Sequence, residues 1–185
     1  RQRRGIVKDG LFKTILYTIL GIGIMTAIMT LTSMTTPFEG VYIQFAYGYL
    51  ALFAGVAGAI PAAIVGFTGH VLFDLIYTDH LWLSWALSTG ALGFVFGFAI
   101  RRKSLRQGVF SEHDMIRFNV VQAVVNIAIF GLIAPTLDVL FYQHSTTIVF
   151  TQGWIASIIN LLTVAVFGTI TLKLYANYKL KQNKQ

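Results

Sequence analysis

QFAYGYLALFAGVAGAIPAAIVGFTGHVLFDLIY, residues 44–77, is the stretch on which the fold turns. It carries a single charged side chain, Asp74. As one helix it would be about 50 Å long at ~1.5 Å per residue, well beyond a bilayer hydrocarbon core of about 30 Å. It is therefore read as a helical hairpin. Gly58-Ala59-Ile60-Pro61 supplies the break, because proline is accepted in the first turn of a helix, where its missing N–H has no partner to lose. The hairpin contributes spans at about 43–58 and 61–77.

The charges outside this stretch test the reading. All 14 Lys and Arg residues fall in three clusters, Arg1 to Lys13, Arg101 to Arg117 and Lys173 to Lys184. Basic residues flanking spanning helices are retained on the cytoplasmic side. If residues 44–77 crossed only once, the Arg101 cluster would lie outside, so the charge pattern independently requires the hairpin. The other spans are read at about 13–33, 81–100, 115–141 and 154–175. Ser111-x-x-Asp114 is a capping-box-like start for the fifth helix, and Tyr142 to Gly153 reads as a polar outer loop. The expectation is an all-α membrane protein of six transmembrane helices, one integral domain over 1–185, with both termini cytoplasmic.

Composition agrees and excludes several classes. The chain is 56% hydrophobic and 11% charged, with mean hydropathy +0.70, too little polar surface for a soluble domain of this length. The net charge of +7 sits beside apolar runs, which suits anionic membrane lipids and cytoplasmic partners rather than nucleic acid. With no cysteine there is no disulfide or thiol chemistry. The first apolar run follows an Arg cluster as in a signal peptide, but its length and lack of a small-x-small cleavage site favour a retained helix. Neither a phosphate-binding G-x-x-x-x-G-K-[ST] loop nor a G-x-S-x-G or H-E-x-x-H motif is present, so the chain is not expected to be an enzyme or to hydrolyse ATP itself.

Ionisable and amide groups within spans are costly and are candidates for function. His70 and Asp74, four residues apart, share a helix face and can hydrogen-bond, either to read a ligand or as a structural link. A metal site on His70, Asp74 and His80 lacks a recognisable ligand motif, and none is expected. Asn119, Gln122 and Asn126 form a stripe on the fifth helix, and Gln152 and Asn160 share a face of the sixth. Amides suit a heteroaromatic ring and equally serve as interhelical links. Asn126 is read as a ligand contact and the other two of its stripe as links. Trp82, Trp85 and Trp154 form an aromatic belt, from which Trp82 or Trp85 could stack on a flat ligand beside Phe38 and Tyr42. Glu39 and Asp79 read as solvated loop charges, and Asp138 as a loop tether or a ligand contact. Gly93 and Gly97 read as internal packing positions. Gly23 and Ala27 read as a docking face for another membrane protein.

The segments Ile43-Gln44-Phe45-Ala46-Tyr47 through Leu50-Ala51-Leu52-Phe53, Gly69-His70 with Asp74, and Trp82-x-x-Trp85 resemble the substrate-binding S components of energy-coupling factor (ECF) vitamin transporters. Ala134-Pro135-Thr136-Leu137-Asp138 and Phe150-Thr151-Gln152-Gly153 extend the likeness over nearly the whole chain. It is similar in particular to an uncharacterised branch grouped with riboflavin-type S components. The resemblance implies a six-helix subunit that captures a micronutrient from outside a bacterial cell. It would work with a transmembrane T component and two cytoplasmic ATPases, with no cofactor in this chain and ATP used by the partners. Gly23 and Ala27 match the small-residue positions of that family's T-component contact, although the usual first residue there is Ala. Phe38, Tyr42, Gln44, His70, Asp74, Trp82, Trp85, Asn126, Gln152 and Asn160 form the expected ligand set. Because the outer half lacks any Lys or Arg, pyridoxine or the hydroxymethylpyrimidine precursor of thiamine is expected ahead of riboflavin. A self-sufficient proton-coupled permease using His70 and Asp74 and, further off, an intramembrane enzyme are the competing readings.

Overall fold

A computed structural model describes the backbone of residues 2–185 and the side chains from residue 10 onward. The side chains of Arg1, Arg3, Arg4 and Lys8 therefore lie outside the described residues. Helix α1 spans Gln2–Thr32, and a two-stranded antiparallel hairpin follows, β1 (Met34–Thr35) paired with β2 (Tyr42–Ile43). Then come α2 (Ala46–Ala57), α3 (Ala59–Phe73), α4 (Leu83–Ala99), a short α5 (Arg102–Arg106), α6 (Glu112–Ala128), α7 (Ala134–Tyr142), α8 (Thr146–Thr163) and α9 (Thr169–Gln182). Three π-helical turns, Asp74–Thr78, Ile129–Ile133 and Val164–Gly168, extend α3 and join α6 to α7 and α8 to α9.

Four of these helical runs are long and apolar enough to cross a membrane: Gly10–Thr32, Ala59–Thr78, Glu112–Tyr142 and Thr146–Gln182. Helices α2 and α4 are apolar but shorter, at 12 and 17 residues. The break between α2 and α3 falls at Gly58, whose φ of 103° is the left-handed region that favours glycine. Pro61 lies in the first turn of α3. The second apolar segment is shorter than the expected 43–58, because residues 42–43 are extended and pair with β1.

Helix α2 is the centre of the molecule. Leu50, Ala51 and Ala54 are fully buried, and α2 packs against α1, α3, α4 and α9. Its small residues allow this crowding: a Cβ at Gly48 would meet Phe167 and the Gly168 backbone, and one at Gly55 would meet Leu105 and Leu172. Gly93 and Gly97 bring α4 against α3 in the same way, facing the Ala62 carbonyl and the Ala59 backbone. Outward faces carry many large apolar side chains, Phe12, Ile60, Phe98, Val124, Leu140 and Leu174 among them. Threonines in α1 return their hydroxyls to the preceding turn, Thr18 to Thr14 O and Thr30 to Thr26 O, so few polar groups are left bare on a helix of this kind.

The fifth and sixth segments differ from their expected bounds. The fifth begins at Glu112, where Ser111 and Asp114 form a reciprocal capping box. It runs through Pro135 without a break, because the π turn ending at Ile133 widens the ladder just before the residue that has no N–H to give. The sixth begins at Thr146 instead of Trp154 and continues to Gln182. The expected outer loop, Tyr142 to Gly153, is thus mostly helix. Its polar residues are accommodated in the helical ladder, as with Thr151, which donates to Thr147 O.

The molecule has two chemically distinct ends. At one, Arg102 and Arg106 both donate to Val56 O at the end of α2, at 3.1 and 2.9 Å. Nearby, Lys173 donates to Phe110 O, and Gly108 packs against Leu180. At the other lie the β hairpin, the α3–α4 turn and the α7–α8 turn.

Candidate functional site

The second end holds a cavity of about 430 Å³. Its roof is the β hairpin, whose Glu39 carbonyl accepts a hydrogen bond from Gln152 Nε2 at 2.8 Å. Tyr42, on β2, sets its ring edge-on to Phe73 and Tyr77, at centroid distances of 6.1 and 5.8 Å. Burial first, then Tyr77, Asp74 and Glu39, raises the Tyr42 pKa from its ordinary value. Gln44 is buried two residues on, and donates to Ser33 Oγ at 2.8 Å, fixing the hairpin to the end of α1.

Helices α3 and α4 form one wall. The π turn that opens at Asp74 carries this carboxylate into the cavity lining, where Oδ2 accepts the Trp82 backbone N–H at 2.9 Å. His70, one turn earlier, places Nδ1 2.7 Å from Thr89 Oγ1 and Nε2 3.6 Å from Asp74 Oδ1. Trp82 caps α4, with its ring between His80, Tyr142 and His144 at 4.6, 5.5 and 5.1 Å. Trp85 stacks towards Phe130 and donates its indole N–H to Asp138 Oδ2 at 2.9 Å. Ser84 Oγ donates to the other oxygen of the same carboxylate. Asp138 is therefore a buried cavity-lining group held by two neutral donors from α4.

Helix α8 forms the opposite wall. Ser145, just before it, and Val149, Gln152, Ala156 and Asn160 line the cavity at intervals of three or four, the repeat of one helix face. Asn160 marks its deep end, 3% exposed.

Eight of the ten expected ligand residues meet at this cavity: Tyr42, Gln44, His70, Asp74, Trp82, Trp85, Gln152 and Asn160. Phe38 and Asn126 are not on its wall. Phe38 is 45% exposed on the hairpin. Asn126 is fully buried behind the wall, donating to Gln122 O and Oε1 at 2.9 and 3.0 Å, while Gln122 reaches Leu161 O and Asn119 reaches Thr169 Oγ1. Glu39 lines the mouth, and Asp138 lines the wall while tethering α7 to α4. Tyr47, Phe73, Ile148, Val149 and Ala156 are lining residues that carry no polar signature in the sequence. The α8 face brings in two of them, Ile148 and Val149, once the helix starts at Thr146. Trp154 turns away, 44% exposed.

On α1, Gly23 and Ala27 face outward. Among the described residues, nothing beyond the helix's own neighbouring backbone lies within 4 Å of a Cβ built at Gly23, whereas one at Gly21 would strike Phe53 and Val65.

Comparison with known proteins adds a second line of observation. The family model for the ECF-type riboflavin transporter, S component, matches residues 12–177. A UPF0397 protein of Lactococcus lactis subsp. cremoris is 39% identical over 175 residues, covering 95% of this chain and 93% of the relative. UPF0397 proteins of Enterococcus faecalis, 37% identical over 169 residues (89% of this chain, 92% of the relative), and of Lactobacillus acidophilus, 39% identical over 168 residues (89% and 91%), are similar to the same extent. No solved structure matches the chain.

Proposed function

Because the chain belongs to the ECF-type riboflavin transporter S-component family, and is thus a multi-pass membrane protein and a vitamin-type substrate-binding transporter subunit, we propose that it captures a small heteroaromatic micronutrient at its cavity end and delivers it into a bacterial cell. The observation carrying this reading is the cavity itself, at the end away from the Arg101–Arg117 loop, walled by aromatic rings and polar groups and with no Lys or Arg among the described residues that line it. Pockets that hold small ligands combine an apolar lining with a few convergent polar groups in this manner. Basic residues are held on the cytoplasmic side, so the Arg101–Arg117 loop sets the cavity facing outside and both termini inside. Helices α2 and α4 complete six crossings, α2 reaching the outer surface through the extended residues before it.

The ligand set is Tyr42, Gln44, His70, Asp74, Trp82, Trp85, Gln152 and Asn160. An aminopyrimidine such as hydroxymethylpyrimidine, or pyridoxine, suits this wall ahead of riboflavin. Energy comes from ATP hydrolysed by two partner ATPases through a transmembrane T component, and Gly23 and Ala27 offer the face on which that component packs.

Mass spectrometry of the protein purified from cells starved of vitamins tests the reading. A co-purifying heteroaromatic compound that rebinds at micromolar concentration or below is expected. An empty subunit with no such affinity, or substrate uptake by the lone chain in liposomes driven by a proton gradient, overturns it.

A further inference from the structure

The hydrogen-bonding polarity of the cavity wall is lopsided. Asp74 and Asp138 are 2% and 1% exposed, and Glu39 stands at the mouth, yet among the described residues no Lys or Arg lines the cavity. Each ionised carboxylate offers about four acceptor positions. Asp138 is met by a hydroxyl and an indole N–H, and Asp74 by one backbone N–H, all neutral donors. Burying such groups with capacity unfilled is costly unless something else donates to them.

His70 adds to the imbalance. The Thr89 hydroxyl lies 3.0 Å from Trp85 O and 2.7 Å from His70 Nδ1, and its one proton serves one of them at a time. His70 Nε2 faces Asp74 Oδ1 at 3.6 Å, too long for a hydrogen bond, so neither group satisfies the other.

Resting on the importer reading above, we propose that the ligand presents a donor-rich, weakly basic nitrogen edge, an amino-substituted or protonatable nitrogen heterocycle, to Asp74 and His70, with Asp138 as a second acceptor. An N–H₂ group has two hydrogens, one for Oδ1 and one for Nε2 in the tautomer that carries its proton on Nδ1. A ring whose edge is built of carbonyls would set acceptors against acceptors, and a phosphorylated or carboxylated ligand would meet two buried carboxylates with no counter-charge. The chemistry on this wall thus selects against the acceptor-rich dione edge of a flavin.

Calorimetry on the full chain in lipid nanodiscs tests this with defined probes: 4-amino-5-hydroxymethyl-2-methylpyrimidine, its 4-oxo isostere, riboflavin and pyridoxine 5′-phosphate. The amino probe is expected to bind at least about tenfold tighter than the oxo isostere, since the latter leaves buried acceptors unpaired. Asp74→Asn keeps an oxygen for the Trp82 N–H while replacing one acceptor by a donor, and should bring that ratio to within about threefold. Asp138→Asn serves as the second variant should the first fail to give folded protein. Tighter binding of the oxo isostere, riboflavin or the phosphate, or an unchanged ratio in both variants, overturns the inference. If a heteroaromatic compound co-purifies while the amino preference is missing, the inference falls and the importer reading stands. If nothing co-purifies and no probe binds, both fall.

Discussion

The two ends of this molecule use the same residue economy for opposite purposes. At the basic end, glycine lets backbones touch: Gly97 sits on the Ala59 backbone, and Gly108 on Leu180. Cations there are tied to backbone oxygens, as Arg102 and Arg106 are to Val56 O. At the other end the helices part around a cavity of about 430 Å³, and the polar groups facing it are acids, amides, imidazoles and aromatic rings. Packing density is therefore a local choice. Where atoms fill the space between helices the chain gains contact energy, and where they leave it empty a ligand can supply the contacts instead.

The sharpest way to break the contrast is to add carbon where the basic half has none to spare. Gly97→Leu drives a side chain into the Ala59 backbone, which cannot yield as a flexible side chain does. Overpacking of this kind costs about 1–3 kcal/mol and more against a backbone. The expected result is loss of monodisperse protein on size exclusion in detergent. A soluble, ligand-binding Gly97→Leu protein would mean that α3 and α4 part easily.

Trp82→Ala is the converse change at the cavity end. Its ring lines the cavity among His80, Tyr142 and His144, and removing a well-placed aromatic at a binding site costs about 2 kcal/mol, or about 30-fold in affinity. Thermal stability of the unliganded protein should change little, because the side chain borders space that is already empty. A fall in stability without loss of affinity would make Trp82 a structural ring rather than a ligand platform.

A third, smaller effect is expected from Arg102→Met with Arg106→Met. Val56 O then loses both charged donors at the C-terminal end of α2, where the helix dipole also favours cations. Hydrogen bonds to charged groups contribute about 1.5–3 kcal/mol where buried and less where exposed, so a few degrees in apparent melting temperature are expected with affinity retained. Lost ligand binding would show that the two ends communicate through α2.

The contrast between the ends bears on what could be read in advance. The Gly58 break, the capping box at Ser111 and the gathering of His70, Asp74, Trp82, Trp85, Gln152 and Asn160 were legible, because turn chemistry, charge placement and intramembrane polarity are local or nearly so. The start of the last helix was not. Thr146, Thr147 and Thr151 look like loop residues, yet they sit in α8 and the Thr151 hydroxyl returns to the preceding turn at Thr147 O; reading them as loop hid Ile148 and Val149. Asn126 misled for a related reason: an amide near the middle of an apolar helix has the same signature whether it faces a ligand or, as here, its neighbour Gln122. The π turns left no trace beyond Pro135, since a single widened turn does not change composition.

The smallest effect on the isolated chain is expected on α1, where the outward face belongs to neither end. Gly23→Leu and Ala27→Leu add bulk to exposed positions, and the space around Gly23 is open to 4 Å. Apparent melting temperature and ligand affinity of the purified subunit should stay at wild-type values, because nothing within the chain is displaced. Small residues on a membrane helix allow a second helix to approach closely, so recovery of the T component and ATPases on co-purification, and uptake in cells, should fall. Gly21→Leu is the internal control: its side chain would strike Phe53 and Val65 and should destabilise the isolated subunit itself. If Gly23→Leu behaves like Gly21→Leu, the outward face packs within the chain and the docking assignment fails. If assembly and uptake persist in both outward variants, the T component meets this subunit elsewhere, with the basic loop at Arg101 to Arg117 the next surface to substitute.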